Sequence, residues 1–205
     1  MPPHAIATLA DLEALYAKPA GASLAKEVDY LHPHYRAFVE ASPFCLLSTM
    51  NSSGGDCSPR GDAPGFVQVL NDRTLLLPDR RGNNRIDSLR NIIADPRVGL
   101  LFLVPGVNET LRISGTATVS TDPDLIARCV VQDKAPTTVL VITIRSVFFQ
   151  CARALVRSKL WSPDAQIPRD ALPSNGTIIG ALSHNAIDGA AYDREQPERM
   201  RKTLY

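Results

Sequence analysis

Three short runs hold residues that could bind an anion or a flat polar ring. The first is Ser58-Pro59-Arg60-Gly61-Asp62. The guanidinium of Arg60 presents a planar fork of donors that matches a phosphate, and Gly61 lets backbone N–H groups approach a ligand closely. The same residue types also fit a turn carrying a surface ion pair. The second run, Pro78-Asp79-Arg80-Arg81-Gly82-Asn83-Asn84-Arg85-Ile86-Asp87-Ser88-Leu89, takes an apolar strand into three arginines and two asparagines and then into a helix. A helix N-terminus offers unpaired N–H groups and the positive end of the helix dipole. Arg85 adds a full positive charge there, an unfavourable placement unless an anion sits nearby; a basic solvated loop is the plain alternative. The third run, Arg153 to Trp161, puts the single tryptophan directly after Arg157-Ser158-Lys159-Leu160. A flat aromatic beside cations suits a planar ring system with polar edges, and a tryptophan in a core or interface fits equally.

Other chemistries lack their residues. The chain has no P-loop, HExxH, GxSxG or GxGxxG pattern. Its cysteines form no CxxC pair, and no His/Cys cluster has zinc spacing. The four histidines (His4, His32, His34, His184) fall outside the apolar strand segments. No residue stands out as a general base, so hard chemistry would fall to a cofactor.

The elements that must position these runs change character along the chain. Residues 1–42 read as a helical segment, with helices over Thr8–Tyr16, Ala22–Leu31 and His34–Glu40. Strands are predicted over Phe44–Met50, Cys57–Arg60, Phe66–Leu70, Thr74–Pro78, Arg97–Val104, Leu111–Ser120 and Thr138–Phe149. The turn cluster at residues 51–55 makes a hairpin of the first two, and Gly115 marks a bulge or bend. Helices are expected over Asn84–Ile93 and Asp122–Val131, the latter with Thr121 as N-cap. Short strands with few intervening helices indicate a mainly β fold, a barrel or sandwich with flanking helices, over residues 43–161. Residues 162–205, rich in proline and then in charge, read as an extension packed on the barrel or on a partner subunit.

Composition sets the surroundings. The 205 residues carry a net charge of +1, so no global field draws the chain to nucleic acid or membrane, and any anion site must be local. The start is not expected to be a signal peptide, and no apolar run is long enough to span a bilayer. The four cysteines are scattered. Cys45 and Cys151 read as buried free thiols, which suits a reducing cytoplasm.

The ordered words SPRGD (Ser58–Asp62), GNNRIDSLRNI (Gly82–Ile92), DPRVGLLF (Asp95–Phe102), VPGVNETLRISG (Val104–Gly115) and SKLW (Ser158–Trp161) resemble the pyridoxamine 5'-phosphate oxidase-like flavoproteins. The resemblance runs from about Phe44 to Trp161. It implies an FMN-binding split β-barrel working as a homodimer, with two FMN sites at the subunit interface and a small-molecule substrate. By that resemblance the FMN phosphate falls to Arg60 and Asn84-Arg85, within the matching runs that include Ser58, Gly61, Asp62 and Asn83. Pro78, Asp79 and Arg80 would line the flavin edge, and the facing subunit would contribute Thr110, Ser158, Lys159 and Trp161. The family's late Arg-Leu-His type signature for the substrate phosphate is replaced here by Arg157-Ser158-Lys159-Leu160-Trp161. Asp62 also stands where a more basic stretch is usual. Both departures count against pyridoxamine phosphate as substrate and leave the expectation of an FMN-dependent oxidoreductase. A reductase using the deazaflavin F420, with Arg73, Arg80 and Arg81 meeting its longer acidic tail, and a flavin-binding protein without turnover are the alternatives.

Overall fold

The structure, a computed structural model, describes residues 4–205. Two short helices, α1 (Leu9–Glu13) and α2 (Gly21–Ala25), and the longer α3 (Pro33–Ala41) precede the sheet. Strands β1 (Phe44–Asn51), β2 (Gly54–Gly61), β3 (Gln68–Asn71) and β4 (Thr74–Asp79) follow, then helix α4 (Asp87–Ala94). Next come β5 (Arg97–Leu103), β6 (Thr110–Ser120), helix α5 (Pro123–Ala127) and β7 (Thr138–Gln150). Helices α6 (Arg153–Ser158), α7 (Asn175–Leu182) and α8 (Gly189–Thr203) complete the chain.

The strands form one antiparallel sheet in the order β2-β1-β5-β6-β7-β4-β3. Inward positions alternate as a half-buried strand requires: Cys45 and Leu47 on β1, Val98, Leu100 and Phe102 on β5, Leu111 and Ile113 on β6 all join one core. Val39 of α3 and Ile92 of α4 close that core. β4 is buried on both faces. Leu75 and Leu77 point into the main core, while Leu76 joins a smaller cluster with Cys129 and Val139 under α5. The register of β6 on β7 shifts between Ser114 and Gly115, and a Cβ at Gly115 would run into the Thr143 carbonyl. The predicted bulge is therefore where the backbones approach too closely for a side chain.

The sheet's two ends meet in space. β2 is one edge and β4 lies next to the other, yet Asp62, just after β2, forms an ion pair with Arg80, just after β4 (Nε–Oδ2 2.9 Å). An open seven-strand order whose ends touch is a curled sheet, and the seam between them is the split in a split β-barrel.

Several boundaries differ from the sequence expectation. α4 begins at Asp87, not Asn84, because Asn84 and Ile86 adopt positive φ (59° and 53°) and cannot continue a right-handed helix. α2 stops at Ala25, and Val28 instead bridges to Val147 on β7. The N-cap of α5 is Asp122, whose carboxylate accepts from the Asp124 and Leu125 amides; Thr121 does not cap it. Cys151 is exposed, and the second buried thiol is Cys129.

Candidate functional site

A cleft of about 930 Å³ lies along the seam. It is lined by Ser58 and Arg60 from β2, by Asp79 to Leu89 from the end of β4 through the start of α4, and by residues 134–137 ahead of β7. Strand geometry explains the β2 contribution: side chains two apart share a face, so Asp56, Ser58 and Arg60 all point to the cleft. Ser58 and Ser88 hydroxyls lie 3.0 Å apart, and Ser88 donates to Asp56 (3.0 Å), which stitches β2 to α4 beneath the cleft. Asn91 of α4 donates to Thr49 (3.0 Å) and accepts from Asn51 (2.5 Å), fixing the helix to β1.

The cations of the cleft divide into committed and free. Arg80 gives Nε to Asp62 and Nη1 to the Cys129 carbonyl (2.8 Å); the side chains of Arg80 and Asp62 are only 16% and 3% exposed. Burial pushes the Asp62 carboxyl up, but hydrogen bonds from Tyr205, the Ala63 amide and Arg80, together with the Arg80 charge, outweigh it and hold the group below its ordinary value. Arg85 pairs with Asp87 (2.7 Å) at the solvent-exposed rim. Arg60, Arg81 and Lys134 line the cleft without a carboxylate partner among the described residues. Asp79 is the opposite case to Asp62. Burial raises its carboxyl, and the Arg60 charge opposes this only in part. Helix α4 has Ile86 as N-cap and no side-chain cap, so the amides of its first turn lack that acceptor.

Of the sequence-predicted residues, Ser58, Arg60, Asp79, Arg80, Asn83, Asn84 and Arg85 come together in this cleft. Gly61 sits outside the lining; a Cβ there would lie 3.2 Å from the Pro43 carbonyl, so its smallness serves strand packing. Asp62 acts from behind, through Arg80. Pro78 is buried in β4. Thr110, Ser158, Lys159 and Trp161 do not line the cleft of the same protomer. Thr110 is buried at the start of β6, the Ser158 hydroxyl donates to the Leu155 carbonyl, and Lys159 ends α6 at φ 52°. Trp161 donates from Nε1 to the Val107 carbonyl (2.8 Å), tying SKLW to the VPG turn.

Two expectations need correction. Arg85 is not an uncompensated charge at a helix start, because Asp87 neutralises it in the first turn. Of the three arginines assigned to a deazaflavin tail, Arg73 lies outside the cleft, paired with Asp29 (3.0 Å), and Arg80 is committed to Asp62. Sequence reading also missed Asp56, Ser88, Lys134 and Tyr205. The period-two spacing Asp56-x-Ser58-x-Arg60 signalled the first; nothing local signalled Tyr205, which arrives from α8.

The sequence model of the pyridoxamine 5'-phosphate oxidase family matches residues 31–151. The chain belongs to this family. The match spans α3 through β7 and so contains both walls of the seam; it stops short of Trp161 and Tyr205. Among solved structures, HupZ from Group A Streptococcus is 16% identical, aligned over 58% of this chain and 92% of that one, with a TM-score of 0.47. A candidate pyridoxamine 5'-phosphate oxidase from Lactobacillus delbrueckii is 21% identical over 59% and 95% of the two chains, TM-score 0.47. A protein from Clostridium acetobutylicum related to general stress protein 26 of B. subtilis, of the pyridoxinephosphate oxidase family, is 13% identical over 57% and 85%, TM-score 0.43. No curated protein matches the chain. Among the described residues no group of His, Cys, Asp and Glu is placed to hold a metal, and no helix is long and apolar enough to cross a membrane.

Proposed function

We propose that this member of the pyridoxamine 5'-phosphate oxidase family is an FMN-dependent oxidoreductase acting on a small molecule. The observation that carries the reading is the seam itself. An edge strand bearing Ser58 and Arg60 meets the Asp79–Arg85 turn in one cation-lined cleft of about 930 Å³, within the range of cofactor pockets. The residues fit the group. Arg60, Asn84 and Arg85, with the uncapped start of α4, would hold the phosphate. Arg80, fixed by Asp62 and the Cys129 carbonyl, keeps a positive charge at the ring-binding side without reorganising. FMN, when bound, would supply reversible acceptance of a hydride or electrons.

A homodimer completes the site in this reading. Thr110, Ser158, Lys159 and Trp161 do not line their own protomer's cleft, and the Trp161–Val107 hydrogen bond holds the late segment at the turn that leads into β6. That arrangement supports their serving a partner's cleft. Four free cysteines, two of them buried, suit a reducing cytoplasm.

The direct test is the absorption spectrum of the purified protein, with and without added FMN. A yellow protein whose flavin is bleached by a reductant and recoloured by an acceptor is expected. A colourless preparation that takes up no FMN overturns the reading, and a yellow one inert to every donor reduces it to flavin binding.

A further inference from the structure

Tyr205 joins the seam from far along the chain. Its hydroxyl donates to Asp62 Oδ1 (2.7 Å), its ring lies 5.6 Å from the Arg80 guanidinium, and it lines the cleft. It follows α8, whose principal packing partner is α7. The two helices are joined tightly: Gly176 and Gly189 approach so closely that a Cβ on either would strike the other's carbonyl. Asp193 of α8 also accepts from Ser174 (2.5 Å) and from the Gly176 amide (2.7 Å) at the start of α7. The attachment of this hairpin to the barrel is of another kind. α7 buries only Gly176 and Gly180, and α8 buries no residue, so neither inserts a large apolar side chain into a core. Among the described residues, the Tyr205–Asp62 bond is the one hydrogen bond between residues 163–205 and the barrel.

We infer that Tyr205 is a positioning residue that latches the α7–α8 hairpin to the Asp62–Arg80 pair and itself walls the cleft, slowing release of the bound ligand. As regards the ligand this rests on the flavin reading; the latch itself rests on contacts within the chain. Tyr205 and the hairpin lie outside residues 31–151, which carry the family match, whereas Asp62 and Arg80 lie within them.

Tyr205→Phe removes the hydroxyl and keeps the ring, a change mild enough to leave the barrel folded. Hydrogen exchange is measured on ligand-free wild type, Tyr205→Phe and Tyr205→Ala, with FMN dissociation followed by recovery of flavin fluorescence. Amides of α7 and α8 should exchange several-fold faster in both variants while those of β1, β5 and β6 stay unchanged, and FMN should leave several-fold faster. Unchanged exchange in both variants overturns the latch. Faster exchange with an unchanged FMN off-rate overturns the role as a cleft wall. A wild type that takes up no FMN removes the flavin reading, and the exchange result still decides the latch.

Discussion

Two arginine–aspartate pairs stand on the same cleft and do different work. Arg80–Asp62 closes its floor, with side chains 16% and 3% exposed. Arg85–Asp87 stands on its rim, with side chains 74% and 45% exposed. Their distances are similar, 2.9 and 2.7 Å, so geometry alone would rank them equal. Desolvation separates them. A buried pair cannot lose one partner without stranding a charge in a poorly hydrated place, whereas an exposed pair loses its partner to water at little cost. The floor pair is therefore part of the fold that shapes the site, and the rim pair leaves Arg85 available to exchange Asp87 for a ligand anion.

The largest test of this contrast is Arg80→Ala. It leaves Asp62 buried with only Tyr205 and the Ala63 amide as donors, and should lower unfolding stability by roughly 3 kcal/mol, read from urea midpoints. Replacing both partners together, Arg80→Met with Asp62→Leu, should recover most of that loss. A single variant as stable as wild type would break the distinction. Next in size is ligand affinity. Arg60→Ala should weaken FMN binding by about 1.5–3 kcal/mol, the scale of a charge-assisted hydrogen bond, with little change in the unfolding midpoint because Arg60 holds no carboxylate. Equal FMN titrations for variant and wild type would refute the phosphate assignment.

Much of this could be read in the chain, and the unread part has a common cause. Alternating burial on β1, β5 and β6 follows from local period, and the Gly115 bulge from a residue with no side chain. The strands and the cluster Ser58, Arg60, Asp79–Arg85 were legible for that reason. The partners of the charges were not. Asp62 stood next to Arg60 in sequence but pairs with Arg80, because curling of the sheet brings the end of β4 to the end of β2. Tyr205 reaches the same carboxylate across 143 positions, a closure no local pattern encodes. The helix starts later than its sequence suggests because Asn84 and Ile86 take left-handed backbone that no local pattern signals.

The carboxyls of Asp62 and Asp79 extend the contrast to pH. Asp62 is held below its ordinary value of 3.8, so its contribution to stability is complete above that pH and is lost as pH falls through the lower folded value. Asp79 is raised above 3.8, so ionising it costs the folded state, and the cost grows as pH rises from 3.8 and is complete above the raised value. Asp79→Asn should thus raise the thermal midpoint at neutral pH and leave it unchanged below pH 3.8, where the carboxyl is protonated in both states. It should also tighten binding of an anion, by removing a negative charge from the cleft. A midpoint that falls at neutral pH would mean that the carboxylate makes a stabilising contact there.

The smallest effect is expected at the rim. Asp87→Asn removes the partner of Arg85 at the first residue of α4. Loss of an acidic side chain there weakens the favourable interaction with the helix dipole slightly, and water solvates the freed guanidinium, so the unfolding midpoint should barely move. The freed Arg85 no longer has to leave a carboxylate before meeting a phosphate, so FMN should bind as tightly or somewhat more tightly, with the gain fading at high salt as surface charge is screened. Arg85→Ala should weaken FMN less than Arg60→Ala, because part of what Arg85 gives the ligand is first taken from Asp87. A large loss of stability in Asp87→Asn would make the rim pair a second floor pair, and the division of labour between them would fail at its cheapest measurement.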